Sequence, residues 1–255
     1  MRIDHRGVRD AFVRQQTGKA SDHSVEARLH PRRTQYDWLL LSSLADDIRT
    51  VLRRTSLLRG GADASARSAP LPLALDVGSF RCPYRAELEG AGYQVVTLDL
   101  SKDSGADLMG TADATGLDDA SVDLLLCTQV LEHTATPWRA LEEFSRIVRP
   151  GGALVVSVPH VWFYHPHPGD YWRFTQEGLV SLCECHGFEI EELQLQRGSV
   201  AAVAQILNFM LYGLLGRAGA PAYWLLNAVG ALGDRLLPNP LFSLNVTCLA
   251  RRRGS

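Results

Sequence analysis

The segment that decides the fold is "VDLLLCTQVLEHTATPWRALEEFSRIVRPGGALVVSVP", residues 122–159. It opens with an apolar run at 122–129, which predicts a buried strand. Residues 136–148 then follow a helical period, with Thr136 as the expected N-cap and Pro137 in the first helical position. After "RPGG", a second apolar run at 153–159 predicts another strand. A strand, a helix and a strand in this order predict two parallel strands joined by a right-handed crossover.

The same alternation extends in both directions from this segment. Strands are predicted at 73–77, 93–99, 106–110, 188–196 and 243–252, with helices at 84–92 and 175–187. This order predicts an α/β fold with a mostly parallel sheet. An amphipathic helix is expected at 35–58. We therefore divide the chain into an N-terminal arm with its helix (1–69) and a main domain (70–255), which carries an inserted apolar helical hairpin at 199–237.

Bulk composition excludes several classes of protein. The 255 residues carry a formal net charge of −2, which argues against a protein that coats a polyanion. Five scattered cysteines do not suggest a disulfide framework. The first residues contain no apolar run of the kind that a secretory signal requires. A cytoplasmic location is the expectation that follows.

Acidic residues stand at the ends of successive predicted strands. The first strand ends at Asp76, shortly before Gly78, and the second ends at Asp99. Asp113 follows the third strand. Ligands of open parallel sheets bind at the carboxyl ends of the strands, where a carboxylate can accept hydrogen bonds from ribose hydroxyls. Each residue alone is a weak signal, whereas the ordered series predicts a nucleotide-like ligand.

The strings "LDVGS…PY", "VVTLDLS" and the segment 122–159 resemble class I S-adenosylmethionine-dependent methyltransferases. The resemblance covers roughly residues 70–196. It implies a Rossmann-like sheet whose last strand is antiparallel, S-adenosyl-L-methionine as cofactor, and methyl transfer as the reaction. It also assigns the methionine end of the cofactor to Asp76 and Gly78, the ribose to Asp99, and the adenine to Asp113 with Gln129 beneath it. The remaining implied contacts are Ser79, Leu100 and Ala114.

The turn after the first strand departs from the family pattern. Such turns commonly read Gly-x-Gly, but here Ser79 and Phe80 follow Gly78. Glycine serves where the backbone has positive φ or approaches a ligand closely. The Phe80 side chain must therefore point away from the cofactor or shift it. The same string lacks Gly-x-Gly-x-x-Gly, which argues against a nicotinamide-dependent oxidoreductase.

The string "HVWFYHPHPGDYWRFT", residues 160–175, follows the fifth strand and is rich in histidine and aromatic side chains. We interpret it as the acceptor site, in which His133, His165, His167 and Asp170 position a small or medium-sized acceptor for O- or N-methylation. One of them could act as a general base. The alternative is a packed lid whose histidines are hydrogen-bonded within the protein.

Glu132 and His133 raise the question of a metal, since His167 or Asp170 could complete a ligand set. We favour local pairing of Glu132 and expect no metal. Metal-dependent methyltransferases that act on RNA ends carry a further carboxylate where this chain has Gln129. Nucleic acid is therefore not an expected partner.

The hairpin at 199–237 is apolar on all sides, which indicates burial of some kind. The first run is near the lower length limit for crossing a bilayer and contains Gln205 and Asn208. We favour a cover for the sheet or a homodimer face, with peripheral membrane contact second. Two alternative functions stay open: a catalytically silent binding or scaffold protein, and a membrane-surface methyltransferase with a lipid-linked acceptor.

Overall fold

Seven strands form one sheet in the computed structural model, which describes residues 28–60, 70–166 and 168–254. The strands are β1 (Leu73–Val77), β2 (Gln94–Asp99), β3 (Leu108–Met109), β4 (Val122–Thr128), β5 (Val148–Pro159), β6 (Phe188–Gln196) and β7 (Asn245–Arg252). Their order across the sheet is β3-β2-β1-β4-β5-β7-β6. Residues 1–27, which belong to the predicted N-terminal arm, residues 61–69, His167 and the last residue lie outside the described residues.

Six α-helices alternate with the strands in the described part of the chain. They are α1 (Trp38–Gly60), α2 (Arg85–Gly90), α3 (Pro137–Ile147), α4 (Gln176–Cys185), α5 (Ser199–Leu215) and α6 (Ala220–Leu236). Short 3-10 turns occupy Lys102–Ser104, Leu131–His133 and Gly216–Gly219.

The sheet confirms the predicted fold class. β1 pairs in parallel with β2 on one side and with β4 on the other, and β4 pairs in parallel with β5. β7 is antiparallel to both β5 and β6, and the helical hairpin α5–α6 lies between β6 and β7 in the chain. From β1 the chain adds β2 and β3 on one side of the sheet and then β4 and β5 on the other side, so the switch point lies between β1 and β4. The carboxyl ends of the parallel strands β2, β1 and β4 meet at the edge of the sheet beside this point.

The two faces of the sheet are buried by different helices. Phe144 on α3 and Leu179 on α4 join one core cluster with alternate residues of β1, β4 and β5. Ile48 and Val51 on α1 join the second cluster with residues such as Leu124 and Val155. The predicted amphipathic helix therefore packs directly on the sheet.

Several predicted boundaries moved for identifiable reasons. The third strand was expected at 106–110 but is limited to Leu108–Met109, because Asp107 instead accepts hydrogen bonds from the amide and hydroxyl of Thr97 at 3.0 and 2.8 Å. β5 begins at Val148, because Val148 pairs with Val122 across an irregularity that absorbs the "RPGG" turn. Thr136 is the N-cap residue of α3 but makes no capping hydrogen bond through its side chain.

Candidate functional site

The turn after β1 is held against the end of β2 by backbone and carboxylate hydrogen bonds. The Gly78 amide donates to the Leu98 carbonyl at 2.8 Å, and the Phe80 amide donates to Asp99 Oδ2 at 3.0 Å. Asp99 Oδ1 accepts from the Ser101 amide at 2.8 Å. The Asp99 carboxylate therefore fixes the two loops, after β1 and after β2, that the sequence predicts to bind the cofactor.

Gly78 is required by the geometry of this turn. Its φ is +67°, and a Cβ at this position would lie 2.3 Å from Cγ2 of Val130 on the loop after β4. Such a contact is sterically forbidden, and the backbone conformation disfavours any side chain. The turn after β1 and the loop after β4 thus approach each other through the one glycine of the string.

Phe80 occupies the position of the missing second glycine, and the two residues after it have a strained backbone. Arg81 and Cys82 have φ values of 67° and 42°, a region that non-glycine residues seldom adopt. The guanidinium groups of Arg28 and Arg81 both contact the Phe80 ring, with their Cζ atoms 5.8 and 5.7 Å from its centroid. The side chain that could have displaced a cofactor is therefore held by two cations.

Polar atoms without partners lie at the same turn. Asp76 and Ser79 are 1% and 4% exposed, and among the described residues Asp76 Oδ2 and Ser79 Oγ have no hydrogen-bond partner. Burial raises the pKa of Asp76 to about 7. Buried polar atoms normally have partners, so unpaired ones beside a turn that admits no side chain fit a polar ligand. The residues present are compatible with the amino-acid end of S-adenosylmethionine.

The other residues predicted to contact the cofactor differ in their exposure to solvent. Asp113 and Ala114 are exposed in the loop after β3, and Leu100 is 58% exposed after β2. Gly110 connects the two loops, since its amide donates to the Asp99 carbonyl at 3.1 Å while a Cβ on it would lie 3.1 Å from the Ala114 carbonyl oxygen. Gln129 has φ +56°, and its Nε2 donates to Ser157 Oγ at 3.3 Å.

A second cluster forms where the 3-10 turn after β4 meets the loop after β5. The Glu132 carbonyl accepts from the Tyr171 amide at 2.8 Å, which joins the two segments. The imidazoles of His133 and His165 lie edge to face with centroids 4.9 Å apart. His133 Nδ1 contacts the Gly169 carbonyl, and His165 Nδ1 lies 3.0 Å from the Phe163 carbonyl. Because a carbonyl only accepts, a hydrogen bond from His133 to Gly169 requires the proton on Nδ1, whereas His165 Nδ1 also lies 3.3 Å from a guanidinium nitrogen of Arg173.

Glu132, which the sequence raised as a candidate metal ligand and which was expected to pair locally, is a further member of this cluster. Its side chain is fully buried, and neither carboxylate oxygen has a hydrogen-bond partner among the described residues. Oε1 lies 3.7 Å from His133 Nε2. Burial raises the pKa of Glu132 to about 8 and lowers the pKa of His165 to about 4, so both groups are predominantly uncharged at neutral pH.

Asp170 holds the loop together. Its oxygens accept from Arg173 at 2.6 and 2.8 Å and from the His165 amide at 2.8 Å. Burial opposes ionisation of this carboxyl, but the bonds from Arg173 and His165 outweigh it and lower its pKa. Arg173 also donates to the Phe163 carbonyl at 2.6 Å. Asp170 is therefore bonded within the loop, while His133 and His165 come together beside it.

Glu132, His133 and His165 could also hold a metal ion. Each offers one ligand atom, and these atoms lie within 4.8 Å of one another. Two imidazoles and one carboxylate suit several transition metals. The sequence pointed to His167 or Asp170 as partners of the Glu132–His133 pair, whereas the structure brings His165 to it. The expected absence of a metal stays a prediction.

A cavity of about 720 Å³ lies apart from the turn after β1 and from the His133–His165 cluster in the described part of the chain. It is lined by residues of α1, the end of β6 and the end of α6, among them Asp47, Arg197 and Asp234. None of the predicted donor residues contributes to its wall. Its size alone does not make it the nucleotide site, because the unpaired buried atoms and the glycine turn are elsewhere.

Residues 75–156 match the sequence profile of a family described as "Methyltransferase domain". Over these residues the chain is similar to methyltransferase domains. Among curated relatives, a probable S-adenosylmethionine-dependent methyltransferase of Mycolicibacterium smegmatis is 34% identical over 82 residues, which cover 30% of this chain and 32% of the relative. The profile match ends at residue 156, before the loop 160–175. The first curated relatives are therefore matched over only about a quarter to a third of their own length.

Solved structures share the fold of this chain well beyond residues 75–156. A putative sarcosine dimethylglycine methyltransferase from Galdieria sulphuraria superimposes with a TM-score of 0.56 at 12% identity, covering 84% of this chain and 88% of its own. The cyclase SpnF superimposes with a TM-score of 0.52 at 19% identity, covering 83% and 82%. At these identities the likeness shows the fold alone.

Proposed function

We propose that the protein is an S-adenosylmethionine-dependent methyltransferase that acts on a small or medium-sized acceptor. The observation that carries this proposal is the turn Gly78–Phe80, which is bonded to Asp99 and leaves the buried Ser79 Oγ and Asp76 Oδ2 unpaired. This arrangement lies at the switch point of the sheet, where such folds bind nucleotide ligands.

In this proposal the donor lies across the ends of β1, β2 and β4. Asp99, already oriented by the Phe80 and Ser101 amides, accepts from the ribose hydroxyls. Asp76 and Ser79 bind the amino-acid end, and Asp113 with Gln129 lies beside the adenine. When bound, the donor supplies an electrophilic methyl group on its sulfonium. The chain's own residues orient the cofactor, and Gly78 allows the turn after β1 to approach the loop after β4 closely.

The loop 160–175 and the turn Leu131–His133 form the acceptor side. We infer that His133 and His165 position the acceptor nucleophile, with Asp170 holding the loop through Arg173. At neutral pH burial keeps Glu132 protonated and His165 neutral, and Asp170 is paired with Arg173. A neutral site favours an acceptor that reacts as a neutral amine or hydroxyl. With a pKa of about 4, His165 is a weak base and is better suited to positioning than to proton removal.

Calorimetry with S-adenosylmethionine and with its demethylated product tests the donor site. Asp99→Ala should weaken binding about a hundredfold, because two hydrogen bonds to a charged acceptor are lost at about 1.5 kcal/mol or more each. Asp107→Ala is the matched control: Asp107 also accepts from a backbone amide and a side chain, at Thr97, but lies outside the proposed contacts. Equal affinity of Asp99→Ala and the parent protein would show that the ribose assignment is wrong.

A catalytically silent binding or scaffold protein is the second candidate, and the strained turn at Arg81 and Cys82 favours it. The two functions differ in one measurable respect. A folded chain that binds neither the donor nor its product refutes the enzyme. A chain that binds the donor and releases the demethylated product in the presence of amine or hydroxyl acceptors refutes the silent protein.

A further inference from the structure

The hairpin α5–α6 exposes many large apolar side chains and buries its amide side chains. Of 21 large apolar side chains that the described residues expose, seven lie elsewhere and fourteen lie between Val203 and Phe242. On α5 they recur at helical spacing, from Val203 through Met210 to Leu214. On α6 they recur in the same way, from Leu225 to Leu236.

The polar residues of the hairpin face the body of the protein, where they are bonded. Gln205 Nε2 donates to the Tyr36 carbonyl at 2.8 Å, and Asn227 Nδ2 donates to the carbonyls of Arg33 and Gln35 at 2.8 Å. Asn208 donates to Asn227 across the hairpin at 2.7 Å. These bonds fix which face of each helix is turned inward.

Charge in this segment is one-sided. Asp234 is the sole acidic residue from 199 to 242, and it accepts from the amides of Gly198 and Ala201 at the start of α5. The two basic residues, Arg217 and Arg235, are exposed at opposite ends of the hairpin and form no ion pair with another described residue. Trp224 is half exposed on the same element. An apolar face with arginines at its ends and an exposed tryptophan suits a lipid–water interface.

We propose that α5 and α6 seat the protein on an anionic lipid surface, with the outward stripes in the acyl boundary and Arg217 and Arg235 at the headgroups. Apart from the indole N–H of Trp224, the exposed apolar side chains of α5 and α6 offer no hydrogen-bonding group, whereas protein–protein interfaces carry about one hydrogen bond per 100–200 Å². This argues against a second copy of the chain as the occupant.

The hairpin lies on the surface and does not cross it. The segment Ser199–Leu236 is long and apolar enough for a membrane span, and only 28% of its most apolar window is buried. However, α5 and α6 have 17 residues each and are separated by the turn Gly216–Gly219. Each is therefore about 25 Å long, short of a hydrocarbon core of about 30 Å. The bonds of Gln205 and Asn227 also tie both helices to residues 33–36.

Flotation of the full chain with vesicles tests the proposal independently of methyl transfer. The protein should float with vesicles of phosphatidylcholine and phosphatidylglycerol, and less with phosphatidylcholine alone. Met210→Glu with Leu225→Glu should abolish flotation, because two charges enter the acyl boundary. The matched control is Leu71→Glu, an equally exposed leucine outside the hairpin, which should float like the parent.

A second variant covers the case in which the glutamates prevent folding. Arg217→Gln with Arg235→Gln leaves the apolar face intact and should reduce partition to the anionic vesicles by about tenfold or more. Flotation of the folded double glutamate variant at the parent level would overturn the proposal. So would a parent protein that stays unbound with both vesicles, whether it sediments as a monomer or as a dimer.

Discussion

Replacing Glu132 by glutamine should make the stability of the protein less dependent on pH. The Glu132 side chain is fully buried without a hydrogen-bond partner among the described residues, and burial raises its pKa to about 8 from an ordinary value of 4.5. Between these two values the folded state keeps its proton while the unfolded state loses one. The free energy of unfolding therefore falls as pH rises through this window, and glutamine removes the contribution because it does not ionise.

The size of the effect follows from the shift. A difference of about 3.5 pKa units corresponds to about 5 kcal/mol between the two ends of the window. The amide of glutamine adds donors that lack partners in this site, at a cost of about 1–2 kcal/mol. Glu132→Gln should thus be less stable than the parent by about 1–2 kcal/mol at pH 5 and more stable by about 3 kcal/mol at pH 9.

Urea unfolding at several pH values measures this crossover. His165 titrates in the opposite sense: its pKa of about 4 removes stability as pH falls below 6.5, so the comparison is made between two proteins at each pH. The control is Glu177→Gln on the exposed side of α4, which should change stability by less than about 0.5 kcal/mol throughout. A Glu132→Gln protein that is equally destabilised at pH 5 and pH 9 would refute the reasoning, because Glu132 would then be ionised in the folded state. If chelation with EDTA removed that destabilisation, a cation bound by Glu132, His133 and His165 would be the reason.

Two further variants test the other parts of the site. Gly78→Ala should lose about 2 kcal/mol or more of stability and most of its affinity for S-adenosylmethionine, because its Cβ would lie 2.3 Å from Val130. Adding Val130→Ala should restore the stability lost to this clash but not the stability lost to the φ of +67°. Thermal unfolding measures the stability and calorimetry measures the affinity. Asp170→Asn should raise hydrogen exchange in the loop 160–175 and lower turnover, at unchanged affinity for S-adenosylmethionine. Glu191→Gln is the control: it breaks a comparable two-bond pair with Arg251 and should change neither quantity. Unchanged hydrogen exchange of the loop in Asp170→Asn would contradict the positioning role of Asp170.

The sheet could be predicted because each of its signals is local. Buried strands such as 122–128 are continuous apolar runs, and the helix after Thr136 has a clear period, so element type and order follow from the pattern. The errors arose where residues distant in sequence made bonds through a side chain or through the backbone. β3 is short because Asp107 is bonded to Thr97, ten residues away, and β5 starts early because Val148 pairs with Val122.

The meeting of the loops after β1, β2 and β4 was predictable from the strand ends, since parallel topology places them at one edge, while the cofactor contacts assigned to them stay predictions. The compensation for the missing glycine was not predictable, because it depends on the positive φ of Arg81 and Cys82 and on a guanidinium from Arg28, more than fifty residues earlier. No local pattern encodes that contact. The assignment of Ser79 to the donor side stays a prediction, now supported by its unpaired buried hydroxyl.

The hairpin shows which further signal the sequence contained. Apolar residues occupy all sides of α5 and α6, so hydropathy alone cannot distinguish the buried face from the exposed one. The few polar residues can, because Gln205 and Asn208 share one face of α5, while Asn227 and Asp234 share one face of α6. A bonded amide stabilises an inward face as effectively as an apolar side chain when its partners are backbone carbonyls. Where polar residues keep one face of an apolar helix and are bonded inside, the opposite face must meet something that requires no hydrogen bonds, and a lipid surface meets that requirement more fully than water or another protein does.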